Sequence, residues 1–62
     1  MAYAKGLEEA AIYQALDRAE RERETMYIYG DGYTLWVRSK DEGVPDRTVL
    51  LATVDKGIKT VF

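Results

Sequence analysis

Carboxylates are the main side chains that could carry chemistry in this 62-residue chain. The sequence has no histidine and no cysteine, so the commonest general base, the commonest metal ligand and the most reactive nucleophile are missing. Ser39 is the only serine, and it lacks the histidine that usually activates such a nucleophile. The lysines stand beside predicted turns or polar residues, where the burial that activates a lysine is not expected. We therefore expect a protein that is not an enzyme.

The densest carboxylate cluster outside the predicted helix lies in one polar loop, at Asp41, Glu42 and Asp46. Calcium loops need oxygen ligands at tighter alternating positions, so a solvated loop is the favoured interpretation and no metal site is expected. Gly30-Asp31-Gly32 could suggest a phosphate cradle, but neither a glycine-rich nucleotide motif nor a predicted helix follows it. A turn explains this segment better, and no cofactor is expected.

The elements that position these residues begin with a helix, predicted from about Leu7 to Glu24. Apolar residues recur there at three- and four-residue spacings on one face, namely Leu7, Ala11, Ile12, Ala15, Leu16 and Ala19. The alanines predict a helix that lies close to a sheet, with Ile12 and Leu16 as its main anchors. Gly6 is expected as a weak N-cap, and Tyr13 is expected at the edge of this face or outside it.

After Thr25 the apolar period becomes two, which predicts strands near Thr25–Gly30, Tyr33–Lys40, Thr48–Val54 and Ile58–Phe62. If Asp31-Gly32 is the two-residue turn that this dipeptide favours, Ile28 pairs with Leu35 and Tyr27 with Trp36. One side of this hairpin then carries Met26, Ile28, Leu35 and Val37. The other, open side carries Tyr27, Tyr29, Thr34, Trp36 and Arg38.

The later strands extend both sides. A three-residue loop at Asp55-Lys56-Gly57 would pair Val54 with Ile58 and would place Leu50 and Ala52 in the core. The open side would then gain Val49, Leu51, Thr53, Lys59 and Val61. A two-residue Lys56-Gly57 loop would reverse part of this assignment.

The predicted fold class is α+β, with one N-terminal helix packed on one face of an antiparallel four-stranded β-meander, in the order α-β-β-β-β. Residues 1–62 are expected to form a single domain. Residues 1–5 are expected to be either a disordered tail or a short extra strand that uses Tyr3.

Composition favours a folded domain and disfavours several function classes. Hydrophobic residues make up 47% and charged residues 32% of the chain, which is ordinary for a folded protein. Eleven acidic and nine basic residues give a net charge of −2, the opposite of the basic footprint that nucleic-acid binding favours. The longest apolar runs are far short of the roughly 20 residues that span a bilayer, and the N-terminus lacks a signal-peptide core. We expect a cytoplasmic protein without a membrane partner.

The open side of the hairpin is the predicted partner-binding surface, because Tyr, Trp and Arg are enriched at protein-protein hot spots. Alternatively, the rings merely cover a small sheet, or they stack single-stranded nucleic acid, for which the basic residues are few. Self-association through this side is a further alternative. A second, acidic surface on the helix and loop could steer association with a basic groove. The predicted partner-binding residues are Tyr27, Tyr29, Trp36, Arg38, Leu51, Glu20, Glu24, Asp41 and Glu42.

The whole-chain profile resembles small phage-encoded inhibitors, especially anti-CRISPR proteins: the chain is short, acidic and cysteine-free, with one predicted helix, a compact sheet and no catalytic set. The resemblance implies an inhibitor in the host bacterial cytoplasm. It would bind a subunit of a CRISPR-Cas effector complex and block target DNA recognition or nuclease recruitment. No individual residues carry over. The predicted function is therefore a protein-binding inhibitor that occludes a partner surface; the alternatives are a nucleic-acid-binding or regulatory domain, or a homodimeric structural module.

Overall fold

The computed structural model describes residues 3, 6–55 and 58–59. Over these residues the elements are helix α1 (Leu7–Glu22), strand β1 (Met26–Gly30), strand β2 (Leu35–Ser39), a 3-10 turn (Lys40–Glu42), strand β3 (Val49–Asp55) and strand β4 (Ile58–Lys59). The predicted α+β class with an antiparallel sheet is confirmed. The prediction for residues 1–5 falls outside the described residues except at Tyr3.

The predicted four-stranded meander is wrong. Three full strands form the sheet in the order β2-β1-β3, and β4 adds only two residues beside β3. In a meander β3 would pair with β2, whereas here it pairs antiparallel with β1, from Met26↔Val54 to Gly30↔Val49. Strands β2 and β3 therefore run parallel to each other on either side of β1. Period-two patterning identifies the faces of a strand but not its neighbours, so it could not distinguish these two orders.

The segment 40–48 makes this strand order feasible. β2 ends at Ser39, opposite Met26 at the start of β1, and β3 begins at Val49, opposite Gly30 at its end. The connection must therefore return along the length of β1 while it crosses from one side of β1 to the other. A tight hairpin loop could not do this, and the polar, turn-rich segment is long enough to do so.

Helix α1 forms where the apolar spacing predicts it and ends at Glu22, two residues earlier than expected. Gly6 is the N-cap, with a left-handed φ of 85°, and Arg23 ends the helix in the left-handed region at φ 58°. Ile12 and Leu16 are only partly buried beside the core. The centre of the contact is formed by the buried alanines, Ala11, Ala15 and Ala19. The alanines, rather than the two predicted anchors, therefore set how closely the helix approaches the sheet.

The core lies between α1 and one face of the sheet. Leu35 and Val37 of β2 pack against it and are partly buried. Its buried sheet residues are Met26, Ile28, Ala52 and Val54. Burial alternates along β1 in the period-two pattern, so the side of the first hairpin predicted to face the helix does face it.

The register of the first hairpin differs from the predicted one. Ile28 pairs with Val37, and Gly30 with Leu35, so the connection contains residues 31–34. Each β1 residue meets a partner two positions later than predicted. An even shift returns every side chain to the same face, so the two predicted sides of the hairpin are preserved.

Asp31 explains the longer loop. Its carboxylate Oδ1 accepts hydrogen bonds from the N–H groups of Tyr33 and Thr34, both at 2.8 Å. Its own N–H donates to the Thr34 carbonyl at 3.3 Å. These local side-chain bonds stabilise a wider turn than the two-residue turn that Asp31-Gly32 predicts.

β3 contains a bulge. Its register against β1 shifts between Ile28 and Tyr29, so Ala52 lies opposite Ile28 while Leu50 lies opposite Tyr29. Leu51 is the extra residue, and its Cδ1 lies 2.7 Å from where a Cβ on Gly30 would stand, on the helix side. The predicted placement of Leu51 on the open side is therefore corrected, because the bulge reverses the alternation in the first part of β3.

The last hairpin follows the two-residue alternative. Asp55 pairs with Ile58, and Val54 pairs with Lys59 rather than with Ile58. Lys59 and Val61 were expected on the open side. The structure describes only the backbone of Lys59, and Val61 lies outside the described residues.

Candidate functional site

Four residues of β1 and β2 form a compact block on the sheet side opposite α1. We name this block the aromatic face; it consists of Tyr27, Tyr29, Trp36 and Arg38. The register places Tyr29 directly opposite Trp36, and Tyr27 directly opposite Arg38. The two tyrosine rings have centroids 6.5 Å apart and planes tilted by 31°. All four residues are half-buried, so their neighbours already restrain them while part of each remains accessible.

β3 extends the aromatic face on the other side of β1. Thr53 lies opposite Tyr27, and Leu50 lies opposite Tyr29. Leu50 is 51% exposed, which is high for a leucine in a strand. The row Trp36-Tyr29-Leu50 is therefore the apolar part of the surface, whereas the row that contains Arg38 and Thr53 is polar.

Leu50 is a candidate contact residue that the sequence interpretation missed. A regular strand would put Leu50 in the core and Leu51 on the open side, and the bulge exchanges them. Period-two patterning carries no signal for such an insertion, because both residues are leucines and either would suit the core. Only the pairing with β1 reveals the exchange.

The predicted acidic residues lie on other segments. Glu20 is exposed on α1, which covers the opposite side of the sheet, and Glu24 lies beyond the end of α1. Asp41 and Glu42 lie in the 3-10 turn after β2. None of these four residues belongs to the strands that carry the aromatic face, but Glu42 lies close enough to Arg38 for the two charges to interact.

Glu42 is engaged within the protein. Its Oε1 accepts a hydrogen bond from the Ser39 N–H at 2.7 Å and lies 3.1 Å from Nη1 of Arg18. The bond from Ser39, followed by that from Arg18, lowers the pKa of the Glu42 carboxyl. This carboxylate caps the turn in its ionised form, and Arg18 offsets its charge. It is therefore a poorer candidate for steering a partner than the exposed Asp41.

Arg18 links three parts of the chain. Its guanidinium pairs with Glu22 at 3.0 Å, donates to the Val37 carbonyl at 3.2 Å and contacts Glu42. The arginine is far from Val37 and Glu42 in the sequence, so no local pattern identified this contact. It joins α1 to the outer strand β2 and to the turn that follows it.

Tyr3 contacts the hairpin loop. Its hydroxyl accepts a hydrogen bond from the Gly32 N–H at 3.0 Å and lies against Gly30. An added Cβ on Gly30 would also stand 2.9 Å from Cδ2 of Leu35. Glycine is therefore needed at position 30 for close approach, since Tyr3, Leu35 and Leu51 converge over it.

Among residues 3, 6–55 and 58–59, no group of three or more acidic residues stands where it could hold a metal ion. Over the same residues, α1 does not have the length and apolar character needed to cross a membrane.

Comparison with known proteins gives no relative: no family model, no characterised protein and no solved structure matches this chain.

Proposed function

We propose that this protein is a small, non-enzymatic inhibitor that binds another protein and occludes part of its surface with the aromatic face. The observation that carries the proposal is the block of two tyrosines, one tryptophan and one arginine on the side of the sheet that α1 leaves uncovered. These residue types dominate the binding energy of protein interfaces. Rings that their neighbours already restrain lose little further conformational freedom on binding.

The two rows of the surface define the chemistry of the partner. Trp36, Tyr29 and Leu50 suit an apolar patch, and burying them would remove apolar area from water. Arg38 at the edge of this patch suits a carboxylate or an aromatic ring, both of which a guanidinium recognises through its planar geometry. We therefore propose a partner surface with an apolar centre and an acidic or aromatic group beside it.

The resemblance to anti-CRISPR proteins names the first partner to test, a subunit of a bacterial CRISPR-Cas effector complex, in the cytoplasm of the host. In this proposal the bound protein prevents the effector from recognising its target DNA or from recruiting its nuclease. The contacts come from the aromatic face. Exposed Asp41, two residues after the end of β2, is the acidic residue that would contact the partner beside it.

The test compares two variants, each of which replaces two aromatic side chains with alanine. Tyr29→Ala/Trp36→Ala removes the centre of the aromatic face, whereas Tyr13→Ala/Tyr33→Ala removes two rings that are 64% and 76% exposed elsewhere. We expect the first variant to bind a CRISPR-Cas effector complex at least about tenfold more weakly and to lose inhibition of DNA cleavage, since each hot-spot truncation costs more than about 1 kcal/mol. The second should behave as wild type.

Equal binding by the two variants, with both still folded, would remove the aromatic face from the proposal. Binding of single-stranded DNA that weakens with salt and is lost in Tyr29→Ala/Trp36→Ala would replace the protein partner with nucleic acid. Concentration-dependent association of wild type that this variant abolishes would instead identify a homodimer formed through the same face.

A further inference from the structure

β2 forms one edge of the sheet, and β1 is its only neighbour among the described strands. In an antiparallel strand the N–H and C=O of one residue point to the same side, and successive residues alternate. The Val37 carbonyl accepts a hydrogen bond from Arg18, and the Ser39 N–H donates one to Glu42. Neither Arg18 nor Glu42 belongs to β1. Val37 and Ser39, and by alternation Leu35, therefore direct their backbone groups to the outer edge.

Arg18 and Glu42 occupy two of these outward groups, and we name the pair the edge clamp. Arg18 Nη1 lies 3.2 Å from the Val37 carbonyl, and Glu42 Oε1 lies 2.7 Å from the Ser39 nitrogen. The two side chains also pair with each other at 3.1 Å, and the Arg18 side chain is only 19% exposed. Side chains that cover an edge strand prevent further strand addition.

We propose that the edge clamp prevents a second copy of this chain from adding its β2 to the sheet. One antiparallel register uses all the outward residues: Val37 opposite Val37 of the second copy, and Leu35 opposite Ser39 of the second copy. In such pairs each residue both donates and accepts. The register therefore requires the Val37 carbonyl and the Ser39 N–H, the two groups that the clamp occupies.

The side chains of this register also fit. It places Trp36 opposite Arg38 of the second copy, an arrangement that favours a cation-π contact. It aligns Val37 with its own equivalent on the helix side, and it joins the two aromatic faces into one continuous surface. A second β2 is therefore a suitable occupant of this edge, and the clamp excludes it.

This inference does not depend on the proposed function. The clamp lies on α1 and the 3-10 turn, at the edge of the sheet, whereas the proposed partner surface is the face of the sheet. Each proposal can be contradicted without the other, because the mass of the protein alone tests the edge clamp and its affinity for a partner tests the aromatic face.

The test opens the edge without changing the net charge. Arg18→Met/Glu42→Ala removes one positive and one negative group, and methionine keeps an apolar stem in place of that of arginine. The control, Arg21→Met/Asp17→Ala, breaks an exposed ion pair of 2.9 Å on the same helix with the same charge change. We expect the open variant to double in mass with rising concentration in sedimentation equilibrium, while wild type and the control do not.

Amide hydrogen exchange identifies the contact. In the associated open variant the Leu35 and Val37 amides should exchange at least about tenfold more slowly than in the wild type. A folded open variant that keeps the mass of the wild type up to about 1 mM overturns the proposal, as does association that leaves these two amides unchanged.

Wild-type exchange supplies a second test that does not depend on the folding of a variant. The clamp predicts that the Ser39 amide exchanges at least about tenfold more slowly than the outward amides of Leu35 and Val37. Equal exchange rates at the three amides would show that the edge clamp does not form, and they would overturn the proposal even if the open variant does not fold.

Discussion

Single side chains in this protein join segments that are distant in the sequence. Arg18 contacts Glu22 on its own helix, the Val37 carbonyl on β2 and Glu42 in the turn after it. Hydrogen bonds to Glu22 and then to Glu42 raise its pKa, so it remains charged at any accessible pH. Most exposed ion pairs contribute little to stability, but a guanidinium with several acceptors has its geometry fixed by all of them together.

Asp31 and Glu42 should make the protein sensitive to acid. The bond from the Ser39 N–H lowers the pKa of Glu42 below its ordinary 4.5, and bonds from the Thr34 and Tyr33 N–H groups lower that of Asp31 below 3.8. A carboxyl whose pKa is depressed in the folded state stabilises that state above its unfolded pKa. The contribution is lost as pH falls through the folded pKa.

We therefore expect the urea midpoint of unfolding to fall as the pH drops below 4.5, and to fall further below 3.8. The variant Asp31→Asn/Glu42→Gln should be less stable than wild type at pH 7 and should show a smaller further loss in acid. A control with the same charge change, Asp46→Asn/Glu20→Gln, should retain the acid response of the wild type. Equal slopes in all three proteins would contradict the assignment to Asp31 and Glu42.

Among the elements, α1 depends on its small residues. Ala15 and Ala19 are fully buried at 0% exposure, while the larger Ile12 and Leu16 lie at the side of the contact. Because alanine adds so little bulk, the helix backbone lies close to the sheet. The small size of these alanines, rather than a large anchoring side chain, therefore sets the distance between the helix and the sheet.

Enlarging a buried alanine should force the two layers apart. Ala15→Leu is expected to destabilise the protein by about 1–3 kcal/mol, the usual cost of overpacking a close-packed core. Ala10→Leu makes the same change on the exposed side of α1 and should stay within about 0.5 kcal/mol of the wild type. Urea denaturation measures both, and an equal effect at the two positions would contradict the close approach.

The end of β1 has a similar steric limit. A Cβ on Gly30 would stand 2.7 Å from Leu51 and 2.9 Å from Leu35, and it would displace the Tyr3 hydroxyl. Gly30→Ala should therefore destabilise the protein by about 1–3 kcal/mol. In a Tyr3→Phe background, where the hydroxyl is already absent, the cost should be smaller by at least about 0.5 kcal/mol. Identical costs in both backgrounds, by urea denaturation, would show that Tyr3 does not limit position 30.

Local patterning predicts some of these elements and not others. The spacing of the apolar residues predicted α1, and alternation predicted the two sides of β1 and β2, because both signals depend on neighbours in the sequence. The bulge at Leu51 and the contact between Arg18 and Glu42 depend on pairing between distant segments. Of the candidate site, the four residues of the aromatic face were therefore predictable from the sequence, while Leu50 and the engagement of Glu42 were not.

For the molecule as a whole, the decisive feature is the central position of β1. It pairs with both β2 and β3 and it faces α1, so its buried residues contact every layer of the fold. Ile28 lies in the middle of this strand at 0% exposure. In the predicted meander β1 would lie at the edge of the sheet, whereas here it has a strand on each side.

Truncation at Ile28 should therefore unfold a large fraction of the protein. A domain of this length is stable by roughly 3–9 kcal/mol, and Ile→Ala in a core costs about 2–5 kcal/mol. Ile28→Val should cost only about 0.5–1.5 kcal/mol and remain folded. Val44→Ala, at a residue that is 64% exposed, should have almost no effect. Circular dichroism with urea titration measures all three, and a small loss for Ile28→Ala would contradict the central role of β1.

The two-residue difference between the expected and the observed register of the first hairpin has a consequence for how this chain could change in evolution. Because side chains alternate, a slip of β2 against β1 by two residues leaves the core residues of β2 facing α1 and Trp36 facing outward. A slip of one residue would turn Leu35 and Val37 outward and Trp36 inward. Changes in segment 31–34 that move the register should therefore be tolerated when the register moves by an even number of residues.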